Sequence, residues 1–448
     1  MWIMRKCGRL IILFTVAALM NGCAFIGDLL NTGGARTIDA EDTGVKVPYN
    51  DQPQVLCAYV QYFRTDDFGQ WSYSGRDPRK MIGPEPWRRQ IAVGRTGDYP
   101  YIGTYDNVRD ADIMRWHIRL AKSAGISAFI LYIFDWQDQE QETQLMFDVA
   151  AQEDFNIGLS EHHSLLEAAP RTVLDGVTQP QRLRKYLGYD QIMDMYAAKL
   201  GTPLLDDGIR YKRSIPRSLR KVPDDAADQA VGRISAMLKR WKDHPAYFRV
   251  DGKPLVMVPY GDDRLLPEEF QQIAEGVEAN VAEDVYIVAL VPQVYWYFYP
   301  AYVQHSGISE QWASAGAEAF THWTPNGMIT ASQALRKEVT QFTVNDSLRW
   351  KKDPMIPVMP GFEDDSWRPG DRPAPTALRR NGAAWREQLD AAVSAKPRFL
   401  FLQTWNEWHE ASQIEPSTAY SDPYLYLKIL AKSLNLQWQT PPLPLKAA

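Results

Sequence analysis

The sequence contains few cysteines and no excess of positive charge. Three of its 448 residues are cysteine, too few for the disulfide framework of a small exported domain. The formal net charge is −6. That balance argues against a nucleic-acid partner, because phosphate recognition requires a basic face.

Motifs of several common enzyme classes are also missing. No glycine-rich phosphate loop follows the first predicted strand, and the zinc-protease helix motif is absent because Gln413 stands where its second histidine would be. His162 and His163 stand beside Glu161, but adjacent histidines diverge on a strand. We therefore expect no metal and no organic cofactor.

Aromatic residues, in contrast, are abundant, with 15 Trp, 22 Tyr and 16 Phe. Many of them must belong to the core, because large aromatic side chains dominate core burial in any fold. Tryptophan and tyrosine also offer flat apolar faces with a polar edge, which suits the C–H faces of sugar rings. Composition alone leaves both uses open.

The first residues are similar to the signal of a bacterial lipoprotein. A basic start precedes an apolar run over residues 10–20, which is too short to span a bilayer comfortably. The run ends in Leu-Met-Asn-Gly-Cys, so that Cys23 would be the lipidated first residue of the mature protein. We predict a signal peptide over residues 1–22 and a lipid-anchored tether over 23–52. An ordinary cleaved signal or a short anchor is the alternative.

The predicted lipid is the one expected membrane contact, because no later stretch is long and apolar enough to cross a bilayer. Ala24, rather than aspartate, follows the cysteine. This favours the outer membrane, and we expect a protein of the bacterial cell envelope. Cys57, inside an apolar run, is predicted to be a lone buried thiol.

Short apolar runs alternate with amphipathic stretches over residues 53–440, which we assign to one domain. Eight runs are predicted strands, at 55–62, 127–134, 156–161, 255–260, 285–291, 317–323, 356–361 and 398–405. Several are continuously apolar, as parallel strands buried on both faces are. Helices are predicted at 108–124, 140–152, 226–242, 267–279, 331–342, 379–395 and 423–434. The alternation predicts a (β/α)₈ TIM barrel, with a doubly wound sheet as the main alternative.

Two long irregular regions follow predicted strands, at residues 64–107 and 162–225. In a barrel, loops after strands lie on the catalytic face, so long ones tend to build a binding cleft. The second region carries a basic stretch over residues 210–221. This stretch is either a solvated loop or a site for acidic sugars.

The densest cluster of reactive groups follows the last predicted strand, in Asn406-Glu407-Trp408-His409-Glu410. Residues at i and i+3 of a helical turn lie about 5–6 Å apart at Cβ, so a turn here would bring the two carboxylates together. Glycosidic cleavage generally needs two carboxyl groups, a proton donor and a group that activates the attacker. Glu407 and Glu410 are the predicted catalytic pair. The alternative is a helix N-terminus, where the dipole favours acidic residues.

This segment, continued through Ala411-Ser412-Gln413-Ile414-Glu415, resembles the N-E-W-H-E-G-T-Q-I-E signature of glycoside hydrolase family 99. That family comprises endo-α-mannosidases, endo-α-mannanases and related polysaccharide-locus proteins. Further similarities follow in order over residues 55–435, at 103–106, 116–126, 244–254 and 360–369. The chain has Ala411-Ser412 where the family has Gly-Thr, and Phe134-Asp135-Trp136 where it has Ser-Trp-Trp.

The resemblance implies a retaining, endo-acting hydrolase of an α-linked polysaccharide or exopolysaccharide. Glu407 would remove the proton from the sugar's own 2-hydroxyl, which attacks the anomeric carbon to give a 1,2-anhydro sugar. Glu410 would serve as general acid and then as general base. Two alternatives stay open: a non-catalytic glycan-binding or polysaccharide-export lipoprotein on the same barrel, and a glycan-modifying enzyme of other chemistry.

Other residues are predicted to bind the sugar or to orient the glutamates, with packing or a structural ion pair as the alternative for each. They are Tyr59, Tyr105, Asp106, Trp136, Tyr260, Trp323, Asp365, Arg368, Asn406 and His409.

Overall fold

The computed structural model describes residues 52–65, 100–134, 136–162, 225–258, 267–290, 312–322, 332–363, 376–377, 379–408 and 410–444. The strands are β1 (Gln54–Val60), β2 (Ala128–Ile133), β3 (Asn156–Glu161), β4 (Arg249–Val250), β5 (Lys253–Val258), β6 (Tyr286–Leu290), β7 (Ala319–Thr321), β8 (Asp353–Val358), β9 (Phe362–Glu363), β10 (Thr376–Ala377) and β11 (Phe399–Leu402). The helices are α1 (Ala111–Ser123), α2 (Glu140–Gln152), α3 (Ala226–Trp241), α4 (Pro267–Val281), α5 (Gln333–Arg349), α6 (Ala383–Ser394) and α7 (Leu425–Ser433).

Eight of the described strands form a closed parallel barrel. Their order is β3-β2-β1-β11-β8-β7-β6-β5, and a parallel pairing of β3 with β5 completes the ring. β4 is antiparallel to β5 and lies outside the ring. The predicted (β/α)₈ barrel is confirmed, and a doubly wound sheet is excluded because the sheet closes on itself.

The core has two layers, which alternate along every strand. In β1, Leu56, Ala58 and Val60 pack inside the barrel, whereas Cys57 and Tyr59 pack between the barrel and the helices. Both faces are therefore apolar, which is why these strands are continuous hydrophobic runs in the sequence. Cys57 is a buried free thiol, as predicted.

The barrel interior leaves little room at β3. A Cβ added at Gly158 would lie 2.7 Å from Cδ1 of Ile130 and 3.3 Å from Cδ2 of Leu255. The first distance is shorter than real Cβ contacts and the second is tighter than most of them, because protein interiors are packed at nearly crystalline density. Glycine here allows the strands on either side to keep their large residues.

Helix α1 illustrates how local sequence sets the helix bounds. The side chain of Asp110 caps its first turn by accepting a hydrogen bond from the backbone N of Asp112 (3.0 Å). The helix ends before Gly125, whose φ of 87° lies in the left-handed region that glycine adopts freely. This is the stop that the sequence predicts. None of the helices in the described part of the chain has the length and apolar composition needed to cross a bilayer.

The predicted bounds agree with the structure to within a few residues for most elements, and those of α2 and β3 agree at both ends. The largest difference is at α5, which ends at Arg349 rather than at residue 342. β8 begins at Asp353 rather than at residue 356. Pro354 lies inside it, and proline is rare inside a strand because it cannot donate a ladder hydrogen bond. The predicted signal peptide, tether and basic stretch lie outside the described residues.

The amino-terminal end of the barrel is closed by a charged cluster. Arg398 donates to Asp353 Oδ2 (2.6 Å) and to Asp251 Oδ1 (2.6 Å). The hydroxyl of Tyr286 donates to the same Oδ2 of Asp353 (2.6 Å). Hydrogen bonding to Arg398 lowers the pKa of the Asp251 carboxyl. Opposite charges are thus paired where β6, β8 and β11 begin.

Candidate active site

The segment over residues 403–415, called here the glutamate loop, leaves the carboxyl end of β11 and folds back on itself. Thr404 N donates to Ser412 O (2.9 Å), and Ile414 N donates to Thr404 O (3.0 Å), so its two halves are joined. Trp405 N donates to Ala58 O (2.7 Å), which attaches the loop to β1. The loop is therefore held against the barrel along its base.

The two predicted catalytic glutamates occupy the tip of this loop. Ala411 N donates to Trp408 O (3.3 Å), so the chain turns back at the segment that carries the two glutamates. Glu407 and Glu410 are half-buried, whereas Asn406 and Trp408 are fully buried. The buried neighbours hold the chain while both carboxylates remain accessible.

Tyr62, just beyond β1, lies beside both glutamates. Its hydroxyl donates a hydrogen bond to Glu407 Oε2. Burial, the negative charge of Glu407 and the charge of Glu410 all raise the pKa of the Tyr62 phenol well above its ordinary value of about 10. The phenol therefore stays protonated and remains a hydrogen-bond donor across the neutral range.

Asn406 fixes the glutamate loop to β1. Its Oδ1 accepts from Val60 N (2.9 Å), and its Nδ2 donates to Val60 O (2.9 Å). The side chain thus satisfies both backbone groups of one residue at the end of the strand. Of the two roles predicted for Asn406, this geometry favours orienting the glutamates over binding a sugar hydroxyl.

A buried carboxylate supports the loop from behind. Glu415 has no exposed surface, and its Oε2 accepts from the Tyr105 hydroxyl (2.6 Å) and from Trp408 Nε1 (3.1 Å). Its Oε1 lies 3.1 Å from Nε2 of His117, which is also fully buried. Trp408 lies between Glu407 and Glu410 in the sequence. Its hydrogen bond to Glu415 therefore fixes the part of the loop that carries both glutamates.

The hydrogen bonds of this cluster form one consistent chain of donors. Asn107 Nδ2 donates to the Tyr59 hydroxyl (3.2 Å), and that hydroxyl lies 3.0 Å from Nδ1 of His117. A neutral histidine that accepts at Nδ1 from Tyr59 and donates at Nε2 to Glu415 satisfies every partner. The cluster then contains one negative charge, stabilised by three donors.

Two predicted sugar-binding residues belong to this buried cluster. Tyr59 is fully buried and Tyr105 is 3% exposed, so neither presents a surface that a sugar could contact. For these two residues the structure favours the alternative, packing, over sugar binding. Asp106 caps a turn, since its Oδ1 accepts from Val108 N (2.9 Å) and Arg109 N (2.8 Å).

Of the remaining predicted residues, one lies within the described part of the chain. Trp136 is half-buried and packs against the core between barrel and helices. The other predicted sugar-binding residues lie outside the described residues: Tyr260, Trp323, Asp365, Arg368 and His409. The predicted lipid acceptor, Cys23, also lies outside them.

An aromatic wall borders the glutamates across three strands. The ring of Tyr62 lies 5.9 Å from that of Phe134, which in turn lies 5.6 Å from the His162 ring. The His162 ring lies against that of Tyr132, tilted by 33°, with a centroid distance of 4.1 Å. Tyr62 and Phe134 are the half-buried members of this wall, and their rings offer apolar faces of the kind that pack against sugar C–H groups.

Sequence reasoning missed Tyr62, although a signal for it exists. Leu56, Ala58 and Val60 face the barrel interior, so the next residue of the same parity points into the barrel mouth. Tyr59 has the opposite parity and packs toward the helices. Within the described part of the chain, no three His, Cys, Asp or Glu side chains are grouped so that they could hold a metal ion.

Comparison with known proteins gives consistent results. Residues 190–439 match Glycosyl hydrolase family 99. A glycoprotein endo-alpha-1,2-mannosidase-like protein of Mus musculus is 30% identical over 356 residues, covering 75% of this chain and 62% of that protein. A glycoprotein endo-alpha-1,2-mannosidase of Rattus norvegicus is 23% identical over 252 residues, which is 51% of each chain. The chain thus spans less than two thirds of the length of these curated relatives.

The barrel also resembles solved structures. The GH99 endo-alpha-mannosidase from Bacteroides thetaiotaomicron superposes with a TM-score of 0.53 at 19% identity, covering 86% of this chain and 97% of that one. This likeness concerns the fold. The family match covers more than half of the sequence and includes the glutamate loop, and the protein therefore belongs to glycosyl hydrolase family 99.

Proposed function

We propose that this protein is a glycoside hydrolase that cleaves an α-linked glycan with Glu407 and Glu410. The observation that carries the proposal is the glutamate loop, which holds two half-buried carboxylates beside Tyr62 at the carboxyl end of the barrel. Active sites of TIM-barrel enzymes lie at this end. Family membership and the mannosidase relatives support the same activity.

The proposed reaction has two steps and proceeds with retention. In the first, Glu407 takes the proton of the sugar's 2-hydroxyl, whose oxygen attacks the anomeric carbon. Glu410 gives its proton to the departing glycosidic oxygen, and a 1,2-anhydro sugar forms. In the second, Glu410 takes a proton from water, which opens the anhydro ring, and Glu407 returns its proton to the 2-oxygen.

This mechanism requires carboxylates that are held firmly but not buried. A 2-hydroxyl that is part of the substrate is already in place, so the attack carries no association entropy. The protein then has to orient two groups for proton transfer, and the bonds from Asn406 and Glu415 to β1 and Trp408 serve that purpose.

The test is product analysis with residues 30–448 and a panel of α-mannans, α-glucans and bacterial exopolysaccharides. We expect new reducing ends from at least one α-linked polymer. ¹H NMR of the first product should show the anomeric configuration of the substrate. Binding without release by the wild-type protein would favour the glycan-binding alternative, and inversion would refute the anhydro-sugar mechanism.

We also propose that Cys23 is lipidated and that the lipid attaches the barrel to the cell envelope, most simply to the outer membrane. The support is the basic, apolar and Leu-Met-Asn-Gly-Cys sequence of residues 1–23. A labelled fatty acid should be incorporated into the wild-type chain in a bacterial host and not into Cys23→Ser. Equal labelling of both would refute the assignment.

A further inference from the structure

We propose that Arg379 is a positioning residue, which holds the glutamate loop directly after Glu410 and so keeps that carboxylate in place. This inference rests on the proposed function, because it concerns how the groups of that site are held. Arg379 is half-buried and precedes the short helical turn, Arg380–Gly382, that leads into α6. It is 32 residues before Ala411, the residue that follows Glu410.

The side chain of Arg379 binds the returning half of the glutamate loop at two backbone carbonyls. Its Nη2 donates to Ala411 O (2.7 Å) and to Gln413 O (2.8 Å). Each of the two hydrogens on Nη2 can serve one carbonyl, and the charge of the guanidinium strengthens both bonds. Because the two acceptors belong to alternate residues, the cation fixes the direction of the chain here as well as its distance from α6.

Glu410 therefore lies between two attachments of the loop to the rest of the protein. Two residues before it, Trp408 Nε1 donates to the buried carboxylate of Glu415 (3.1 Å). One residue after it, Ala411 O accepts from Arg379. A short segment that is held at both ends has few ways to move, so the backbone that carries Glu410 is restrained from both sides.

The hydrogen bonds within the tip of the loop are long. Ala411 N lies 3.3 Å from Trp408 O, and Ser412 N lies 3.3 Å from Glu407 O. Both distances exceed the usual range for a backbone N–H···O bond, in which the interaction is strongest. The tip is thus held weakly by its own bonds, and the shorter bonds from Arg379 supply a restraint that they do not.

Two tyrosine rings hold the guanidinium in the orientation that these bonds require. Its Cζ lies 4.9 Å from the centre of the Tyr426 ring and 5.5 Å from that of the Tyr420 ring. Tyr426 belongs to α7 and is buried, and the two rings pack edge to face at 4.6 Å. A guanidinium is attracted to aromatic faces and presents its donors in fixed directions, whereas a lysine ammonium has no plane to stack.

The simpler alternative is that Arg379 only stabilises the fold. Its loss would then lower the free energy of unfolding and leave the turnover of the folded enzyme unchanged. Arg249 is a matched control, because it also donates to two backbone carbonyls, those of Gly252 and Lys242, and it pairs with Glu283. These bonds lie where β5 begins, at the end of the barrel opposite the glutamates.

The first experiment measures kcat and KM for the wild type, Arg379→Met, Arg379→Lys and Arg249→Met, at a temperature where all are folded. A small displacement of a reacting group costs up to about 100-fold in rate. We expect kcat of Arg379→Met to fall by about 10- to 100-fold, with KM changed by less than about threefold. Arg249→Met should keep the wild-type kcat. An unchanged kcat in Arg379→Met would overturn the proposal.

Arg379→Lys tests the geometry of the contact and replaces Arg379→Met if that variant fails to fold. The ammonium can still donate to a carbonyl, but it cannot stack on the two rings. Its kcat should therefore fall by about tenfold, less than in Arg379→Met. A kcat equal to that of the wild type in Arg379→Lys would mean that the planar contact does not position the loop.

A second experiment needs no turnover. Hydrogen–deuterium exchange, read by mass spectrometry, reports local opening of backbone amides. Peptides from residues 403–415 should exchange about tenfold faster in Arg379→Met than in the wild type, a larger rise than in peptides from β1 or β5. In Arg249→Met the same loop should exchange as in the wild type. An equal rise over the whole chain in Arg379→Met would refute the proposal in favour of general stabilisation.

The two proposals fail in different ways. A wild-type protein that cleaves no polymer would refute the proposed hydrolase, while the exchange measurement would still decide whether Arg379 holds the loop. An active wild type whose Arg379→Met variant keeps kcat would refute the role of Arg379 alone.

Discussion

At each end of the barrel a tyrosine hydroxyl donates to a carboxylate, in opposite electrostatic settings. At the amino-terminal end, Asp353 accepts from both Tyr286 and Arg398, so a cation offsets its charge. At the carboxyl-terminal end, Tyr62 donates to Glu407, while a second carboxylate, Glu410, is close enough to raise the pKa of the same phenol.

The difference separates two uses of ionised groups. Paired opposite charges at the start of the strands stabilise the fold, and they lie at the end of the barrel opposite the glutamates. Like charges at the end of the strands repel each other, which lowers stability, but in the proposed mechanism they supply a proton donor and a base side by side. Functional sites often give up stability in this way. The predictions that follow probe this contrast in order of decreasing effect.

The largest effect is expected at the glutamates. Glu407→Gln and Glu410→Gln should each reduce the rate by about 10²–10⁴-fold, because general acid–base groups contribute that much. Their unfolding free energies should stay within about 0.5 kcal/mol of the wild type or rise, since a repulsion is removed. Reducing-end assays and chemical denaturation measure the two quantities.

An aryl α-glycoside with a good leaving group distinguishes the two variants further. It should restore much of the rate of Glu410→Gln, because protonation of the leaving oxygen is then less important, and little of the rate of Glu407→Gln. Equal rescue of both variants would contradict the assigned roles.

The second effect concerns Glu415, a carboxylate near the catalytic end that serves stability. Glu415→Gln should destabilise the protein by about 3 kcal/mol, because an amide group would face a donor in a fully buried cluster. Tyr105→Phe removes one of the three donors and should cost about 1 kcal/mol. Urea unfolding monitored by tryptophan fluorescence measures both. Equal costs would mean that the carboxylate charge is unimportant.

The third effect lies at the amino-terminal end. Arg398→Met should lower the unfolding free energy by about 2 kcal/mol, because Asp353 loses the cation that offsets its charge. Activity at low temperature should persist. The control is Arg240→Met at an exposed pair with Glu140, where a change within about 0.5 kcal/mol is expected. If Arg398→Met lost activity and kept its unfolding free energy, the assignment of a stabilising role to the amino-terminal end would be contradicted.

The smallest effect is a gain in stability at the glutamate loop. Ala411 has a φ of 48°, in the left-handed region that costs an L-residue about 1–2 kcal/mol. The related family signature has glycine there. Ala411→Gly should stabilise the protein by about 0.5–1 kcal/mol, once the greater entropy of unfolded glycine is subtracted. Thermal unfolding measures the change in stability. A less stable Ala411→Gly variant would contradict the inference that Ala411 is strained.

Much of the fold and part of the site could be predicted from sequence. Strand and helix positions followed from apolar runs and helical periodicity, because both patterns are local. The Glu407 and Glu410 pair could be proposed from sequence because its spacing is local as well, and its catalytic role stays a prediction. Choosing Tyr59 over Tyr62 was an error of parity, since apolar residues on both faces of a barrel strand hide which side faces inward.

The buried cluster was out of reach for another reason. His117 and Glu415 are 298 residues apart, and neither has a neighbouring residue that indicates the contact. A histidine inside an amphipathic helix and a glutamate before a proline have many ordinary uses. Only the closure of the barrel brings the two together, so no local pattern could have paired them.

The pairing of β1 with the glutamate loop determines when, during translation, the two carboxylates can be arranged. Val60 and its partner Asn406 are 346 residues apart, so a ribosome adding about 5–20 residues per second needs about 20–70 s to make the second after the first. Throughout that interval, the nascent chain has the strand but not the loop. The two carboxylates therefore acquire their arrangement only after almost all of the barrel has been synthesised.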